Sequence, residues 1–455
     1  MVSTYDRFSV PSSPKAFTVS AKHAALWVNH FSTQAGFCHV ARPDGSSFIS
    51  AWPIRSWVLP RDPKAWTDVV GEIRQTEADF SSGKEQEAVT DGFSGGLVGV
   101  LNYDAGVMTV PGFRARQRSD SLPDTGWVGC YDWALNLPAH TDEPATLLMD
   151  RQCSAKTLEQ LQPILEGQLP ANRAEPEFKL NAPFTPQQNP ATYSNAIKRI
   201  LEYIHAGDCY QVNYAQQFTA AFEGQPFAAY QTLLQAIPVP HAAYVDTGRY
   251  QVLSISPERY LKIRDGQVES KPIKGTRPRG ESAQEDTRHR DELAASKKDR
   301  AENLMIVDLI RNDLSRFCAP HSVRVPKLFE IESFRNVHQL VSTVTGELKP
   351  GTLAFDALLS AFPGGSITGA PKRRAMEIID ELEPSARGPY CGSVFSIGND
   401  GTLDSNIAIR TLLAEPDGRI SCWGGGGIVA DSDPTDEFAE SVTKVQRLMQ
   451  TLENL

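Results

Sequence analysis

Apolar positions along the chain fall into two kinds of run. Short, nearly continuous stretches such as Gly96 to Asp104 and Trp127 to Leu135 predict buried strands. Tyr250 to Ile255 is apolar and β-rich, and Gln267 to Ile273 alternates before Gly275 breaks it, so both predict strands. The other runs have a helical period. Ile197, Ile200, Leu201 and Ile204 share one face of Thr192 to Ala206, which Gly207 stops. Asp299 to Arg311 is apolar on almost all sides and predicts a buried helix. A second helix is predicted over Pro371 to Leu382, after a Gly-rich loop. A third begins at Pro434, with Asp433 as its N-cap. Prolines 170, 176, 183, 186 and 190 punctuate a polar stretch. They predict a linker over 171–190 between a β-rich region (1–170) and a second region (191–455).

At 455 residues the length suits two or three domains. A net charge of −10 argues against a general nucleic-acid or anionic-membrane surface. No leading signal segment and no span-length apolar run is visible. The seven cysteines are scattered and never form C-x-x-C, which points to a reducing cytoplasm rather than to disulfides or structural zinc.

Candidate chemistry gathers at strand and helix ends. Lys274 lies sixteen residues after Glu258, and two neighbouring strands would bring both to one sheet edge. A buried amine becomes nucleophilic and a buried carboxyl becomes a proton donor. Glu437, Glu440 and Lys444 share one face of the C-terminal helix. Glu302, in the first turn of an apolar helix, needs a compensating cation. Carboxylates from two helices with no His or Cys suit Mg²⁺, which keeps several waters. Gly364 to Lys372 lacks the G-K-[ST] step of a phosphate loop, yet a Gly-rich loop at a helix N-terminus offers donors to a carboxylate. Gly425, Gly426 and Gly427, within a run of four glycines, predict close backbone approach to a ligand. Arg410 could clamp a carboxylate. His338 is a lone histidine on a β-like run, more often a hydrogen-bonded core residue than a base.

The runs SPER (256–259), PIKGT (272–276), DRAENLMIVDLIRND (299–313), HQLVST (338–343), PGGSITGAPKRRAMEIIDELEP (363–384) and GGGIVADSDP (425–434) resemble the chorismate-utilising enzymes. The resemblance covers most of residues 190–455. It implies an α+β fold, a four-layer α/β/β/α sandwich of two large, mostly antiparallel sheets. Anthranilate synthases resemble the chain throughout but carry Ala in the P-I-x-G-T run. Lys274 therefore implies amination of chorismate at C4, giving 4-amino-4-deoxychorismate for 4-aminobenzoate and folate synthesis. The alternatives are anthranilate synthesis or an isochorismate- or salicylate-forming relative. In the implied mechanism Lys274 attacks C2, Glu258 protonates the departing 4-hydroxyl, and ammonia adds at C4. Glu302 and Glu440, with Glu437 adjacent, are implied to hold Mg²⁺. Gly275, Thr276, Tyr390, Arg410, Gly425 to Gly427 and Lys444 are implied to bind the substrate carboxylates. His338 matches a histidine implicated in pyruvate elimination by anthranilate synthases. Ammonia is implied to come from a glutamine amidotransferase subunit, which nothing in this chain resembles.

Overall fold

Two antiparallel sheets, of 13 and 10 strands, organise the computed structural model, which describes residues 15–82, 92–116, 118, 120–151, 153–168, 177–334 and 337–455. The larger sheet runs through Lys15–Val19, Ala145–Met149, Trp133–Leu137, Ser47–Ser50 and Cys38–Ala41. It continues through His241–Asp246, Gln251–Ser256, Thr411–Ala414, Arg419–Ile428 and Gln211–Glu223. The smaller sheet begins with Ile273–Pro278, Val337–Glu347, Gln267–Ser270 and Arg259–Arg264. Leu403–Asn406, Ser393–Gly398, Gly96–Leu101, Gly126–Tyr131 and Arg55–Leu59 complete it. Strands from both expected regions are thus hydrogen-bonded within each sheet, Cys38–Ala41 to His241–Asp246 in one and Gly96–Leu101 to Ser393–Gly398 in the other.

Side-chain alternation explains the layering. Ala243 and Val245 enter the core that includes the second sheet, whereas Ala242 and Tyr244 enter the core against the outer helices. The helices Pro226–Ala236 and Pro434–Glu453 cover the first sheet's outer face, and Lys297–Ser315 covers the second's. The four-layer α+β expectation describes this arrangement.

Three expectations change. Trp127 to Leu135 is two strands rather than one, because the chain changes sheets at Asp132. The Asp132 carboxylate accepts from the Ser154 N–H (2.8 Å) and the Thr157 hydroxyl (2.9 Å), which pins the crossing. Part of the expected linker is sheet: Lys179–Leu180 and Thr185–Pro186 both pair with Gln211–Glu223. Residues 171–176 lie outside the described residues. The helix Lys297–Ser315 buries only one side, through Asn303, Ile306, Val307, Ile310 and Asp313. Leu304 on its outer side is 46% exposed. The C-terminal helix starts as expected, with Asp433 accepting from the Thr435 and Asp436 N–H groups at 2.8 and 3.2 Å. All seven cysteines are buried free thiols. Among the described residues no helix is long and apolar enough to cross a membrane.

Candidate active site

Glu258 sits where the chain leaves the first sheet at Ser256 and enters the second at Arg259. The Ser256 hydroxyl accepts from the Glu258 N–H (3.2 Å), and the Glu258 carbonyl accepts from the Ile407 N–H (3.1 Å). The strand bearing Lys274 is not its neighbour, as the sequence suggested, but an edge strand paired to Val337–Glu347. Between Ile273, opposite Val341, and Thr276, opposite Gln339, the register slips by one residue. This is a β-bulge, and bulges re-aim side chains. Gly275 has φ +83°, and a Cβ there would lie 2.8 Å from both Asp299 Cγ and Leu293 Cδ1. Only glycine lets the bulge press against the start of Lys297–Ser315, the helix that presents Glu302.

Burial moves the proton affinities of both groups toward a neutral pair, against their mutual attraction. Burial pushes the Glu258 carboxyl up to about 7, although Lys274, the Ser366 hydroxyl, the Ile273 N–H and Arg410 all pull it down. Burial lowers the Lys274 amine from its ordinary value and Lys444 lowers it further, while Glu258, Glu302 and Glu440 oppose. Desolvation of both partners therefore favours neutral amine beside protonated carboxyl, the state a nucleophile and a general acid need.

The glycine run lies inside the strand Arg419–Ile428, with none of its members in the left-handed region, so no turn accounts for it. Each glycine instead makes room. A Cβ on Gly425 would fall 2.2 Å from the Tyr214 carbonyl, and one on Gly427 would fall 2.4 Å from Gln211 Nε2. On Gly426 it would meet Glu437 Oε2 at 2.9 Å, Glu440 Oε1 at 3.3 Å and Lys444 Nζ at 3.5 Å. Those three groups converge over bare backbone.

Burial raises the Glu302 and Glu437 carboxyls. Burial acts on Glu440 in the same sense, but Lys444, Lys298 and Lys274 hold it below its usual value. Lys444 Nζ lies 2.6 Å from Glu440 Oε1 and donates to the Gly425 carbonyl (2.8 Å). Among the described residues no three metal-ligating side chains close on one point. Glu437 and Glu440 over the glycine strand, with Glu302 of a second helix within electrostatic reach of Glu440, could hold Mg²⁺, which takes few protein ligands and fills the rest with water.

The remaining expected residues divide. Arg410 adopts φ +51° and lies within electrostatic reach of Glu258. Tyr390 is buried and stacks on Trp423 with ring centroids 6.0 Å apart. Thr276 follows the bulge and is exposed. His338 is not brought to the cluster. Its Nε2 pairs with Asp286 Oδ1 (3.0 Å) and its Nδ1 with Ser333 Oγ (2.8 Å). Asp286 also pairs with Arg279 (2.6 Å), so this histidine sits in a hydrogen-bonded support of the edge strands. Sequence reasoning missed Ser366 against Glu258 and Lys298 beside the carboxylates. Ser366 lies in the Gly-rich loop, whose sequence points only to backbone donors.

The family profile described as chorismate binding enzyme matches residues 49–450. The chain is 44% identical over 363 residues to aminodeoxychorismate synthase component 1 of Klebsiella aerogenes, covering 80% of this chain and 78% of that protein. It is 42% identical over 280 residues to anthranilate synthase component 1 of Aquifex aeolicus, covering 61% and 56%. Among solved structures it is similar to anthranilate synthase component I from Streptococcus pneumoniae, with TM-score 0.73, 27% identity, and coverage of 98% and 94%. With the profile spanning most of both sheets and the glycine cradle, the chain belongs to the chorismate binding enzyme family.

Proposed function

We propose that the chain is the chorismate-aminating component of an aminodeoxychorismate synthase, converting chorismate and ammonia to 4-amino-4-deoxychorismate and water. The observation that carries this reading is half-buried Lys274 within electrostatic reach of buried Glu258, with the amine lowered and the carboxyl raised to about 7. Similarity to component 1 proteins supports it. Neutral Lys274 Nζ bonds to C2 of the ring as the C4–O bond breaks, and Glu258 gives its proton to the leaving oxygen, which departs as water. Ammonia then bonds to C4 as the Nζ–C2 bond breaks, the ring double bonds shifting at each step. The proton shed from nitrogen restores Glu258. Arg410, Lys444, Tyr390 and the backbone at Gly275, Thr276 and Gly425 to Gly427 hold the two substrate carboxylates. Glu302, Glu437 and Glu440 would hold Mg²⁺, which supplies positive charge against the ring carboxylate when bound.

Chromatography of the product from chorismate, Mg²⁺ and ammonium tests the proposal. 4-Amino-4-deoxychorismate is expected; anthranilate, isochorismate or salicylate as the main product would overturn it.

Two outcomes follow for cofactor and partner. Chelation should abolish turnover and Mg²⁺ restore it. Glu302→Gln or Glu440→Gln should raise the half-saturating Mg²⁺ concentration by at least ~10-fold, since even outer-shell changes at metal sites cost that much. Full activity in excess chelator contradicts the assignment. The isolated chain should use ammonium but not glutamine, because ammonia is the nucleophile and a glutamine amidotransferase subunit is its source. Glutamine turnover by the pure chain, with no second subunit present, contradicts that.

A further inference from the structure

We infer that the buried Glu383–Arg387 pair is a positioning device that ties three separate parts of the substrate site into one rigid wall. The inference rests on the proposed chorismate reaction for its meaning but on geometry for its support. Arg387 is 2% exposed and Glu383 3%. Arg387 Nε and Nη2 donate to Glu383 Oε2 and Oε1 at 2.9 and 2.7 Å, a bidentate pair. Its other donor contacts are to the backbone of the turn that holds Ser366 and of the strand paired with the glycines.

Nη1 donates to the Ile367 carbonyl (3.0 Å), at the end of the turn Gly365–Ile367 that presents Ser366 to Glu258. The Asp313 carboxylate, paired with Lys372 at 2.8 Å, holds the other end by accepting from the Gly365 N–H. Nη2 also donates to the Asn213 carbonyl (2.6 Å), and Glu383 Oε1 accepts from the Ala215 N–H (2.9 Å). Asn213 and Ala215 lie opposite Gly427 and Gly425 in the sheet register. The pair therefore fixes the strand against which those glycines are packed. The face of the guanidinium covers Tyr103 at 4.5 Å and Tyr390 at 5.7 Å, and Tyr390 is backed by Trp423. One cation thus sets the Ser366 turn, the glycine strand and Tyr390 relative to each other.

A stabilising role alone does not explain this pattern. Buried ion pairs add little net stability over neutral replacements of similar size, whereas removing one partner is strongly destabilising. What a bidentate, planar group adds is fixed geometry, and an ångström of misplacement at a reaction centre can lower turnover by ~10²-fold.

The test uses the full chain as the double variant Glu383→Gln/Arg387→Met, which strands no charge, and as Arg387→Lys. The single variant keeps a cation beside Glu383 but loses the planar fork, and carries the test should the double variant not fold. Melting temperature, chorismate dissociation constant by calorimetry without ammonia, and kcat and KM with ammonium are measured. The double variant is expected to melt near the parent, bind chorismate about tenfold or more weakly, and lose kcat/KM by ~10²-fold, with both kcat and KM affected. Arg387→Lys should show a smaller loss of the same kind. A folded variant that binds and turns over chorismate like the parent overturns the inference. If the parent makes a different product, the functional reading fails, while the calorimetric comparison still decides the positioning role.

Discussion

Lys274→Ala removes amination at C4, with a fall in 4-amino-4-deoxychorismate formation of ~10⁴-fold or more, the scale seen when a covalent nucleophile is deleted. Chorismate and Mg²⁺ binding should remain, because Glu302, Glu437, Glu440, Lys444 and the glycine strand are untouched. On the proposed mechanism the substitution also removes the amine that would attack C2. The variant would carry the P-I-A-G-T run of anthranilate synthases, so small amounts of C2-substituted product are expected by chromatography. The bulge at Gly275 belongs to the backbone and should persist, so the melting temperature should change little or rise, since a desolvated amine is removed. Near-parent yield of 4-amino-4-deoxychorismate would make the lysine structural only.

Glu258→Gln separates activity from stability. Loss of the proton donor for a leaving hydroxide should lower kcat by ~10²–10⁴-fold. Stability should move the other way at neutral and alkaline pH. The folded-state carboxyl sits at about 7 because of burial, above the ordinary 4.5 of an unfolded glutamate. Between those values the folded protein retains a proton that the unfolded chain has released, so the parent loses stability as pH rises through this window and regains none above it. Glutamine does not titrate. The variant should therefore be more stable than the parent by up to ~3 kcal/mol at pH 8, from ~1.4 kcal/mol per pKa unit, with the gap closing below about pH 4.5. Denaturant unfolding of both proteins at the two pH values measures it. A gap that widens on acidification would mean that the carboxyl is not held protonated. In turnover, at fixed free ammonia, the parent should lose rate as pH rises past about 7.

Part of the candidate site could be seen in the chain because its chemistry is local. Helical spacing puts Glu437, Glu440 and Lys444 on one face, and Lys274 stands beside a glycine that breaks a strand pattern, but only the resemblance implied their roles. The structure explains what spacing could not. Period-two patterns say which residues share a face, not which sheet the strand joins, so the crossings at Asp132 and at Pro257–Glu258 were invisible. The bulge that aims Lys274 depends on the register with Val337–Glu347, a partner more than sixty residues away in sequence. His338 shows the same limit. A histidine on a buried strand looks alike in sequence whether it faces a cleft or, as here, Asp286 and Ser333. Ser366, Glu383 and Arg387 carried no signal: a serine among glycines and an i,i+4 pair at a helix end are ordinary until their burial is known.

Mass spectrometry of the intact protein after exposure to chorismate and Mg²⁺ without ammonia tests the nucleophilic role of Lys274 most directly. The parent should gain the mass of chorismate less one water, mapped to the peptide containing Lys274 and discharged as 4-amino-4-deoxychorismate when ammonium is added. Lys274→Ala should gain nothing. An adduct that persists in Lys274→Ala, or a parent that forms product rapidly on adding ammonium yet never carries the adduct, would contradict covalent catalysis by this lysine.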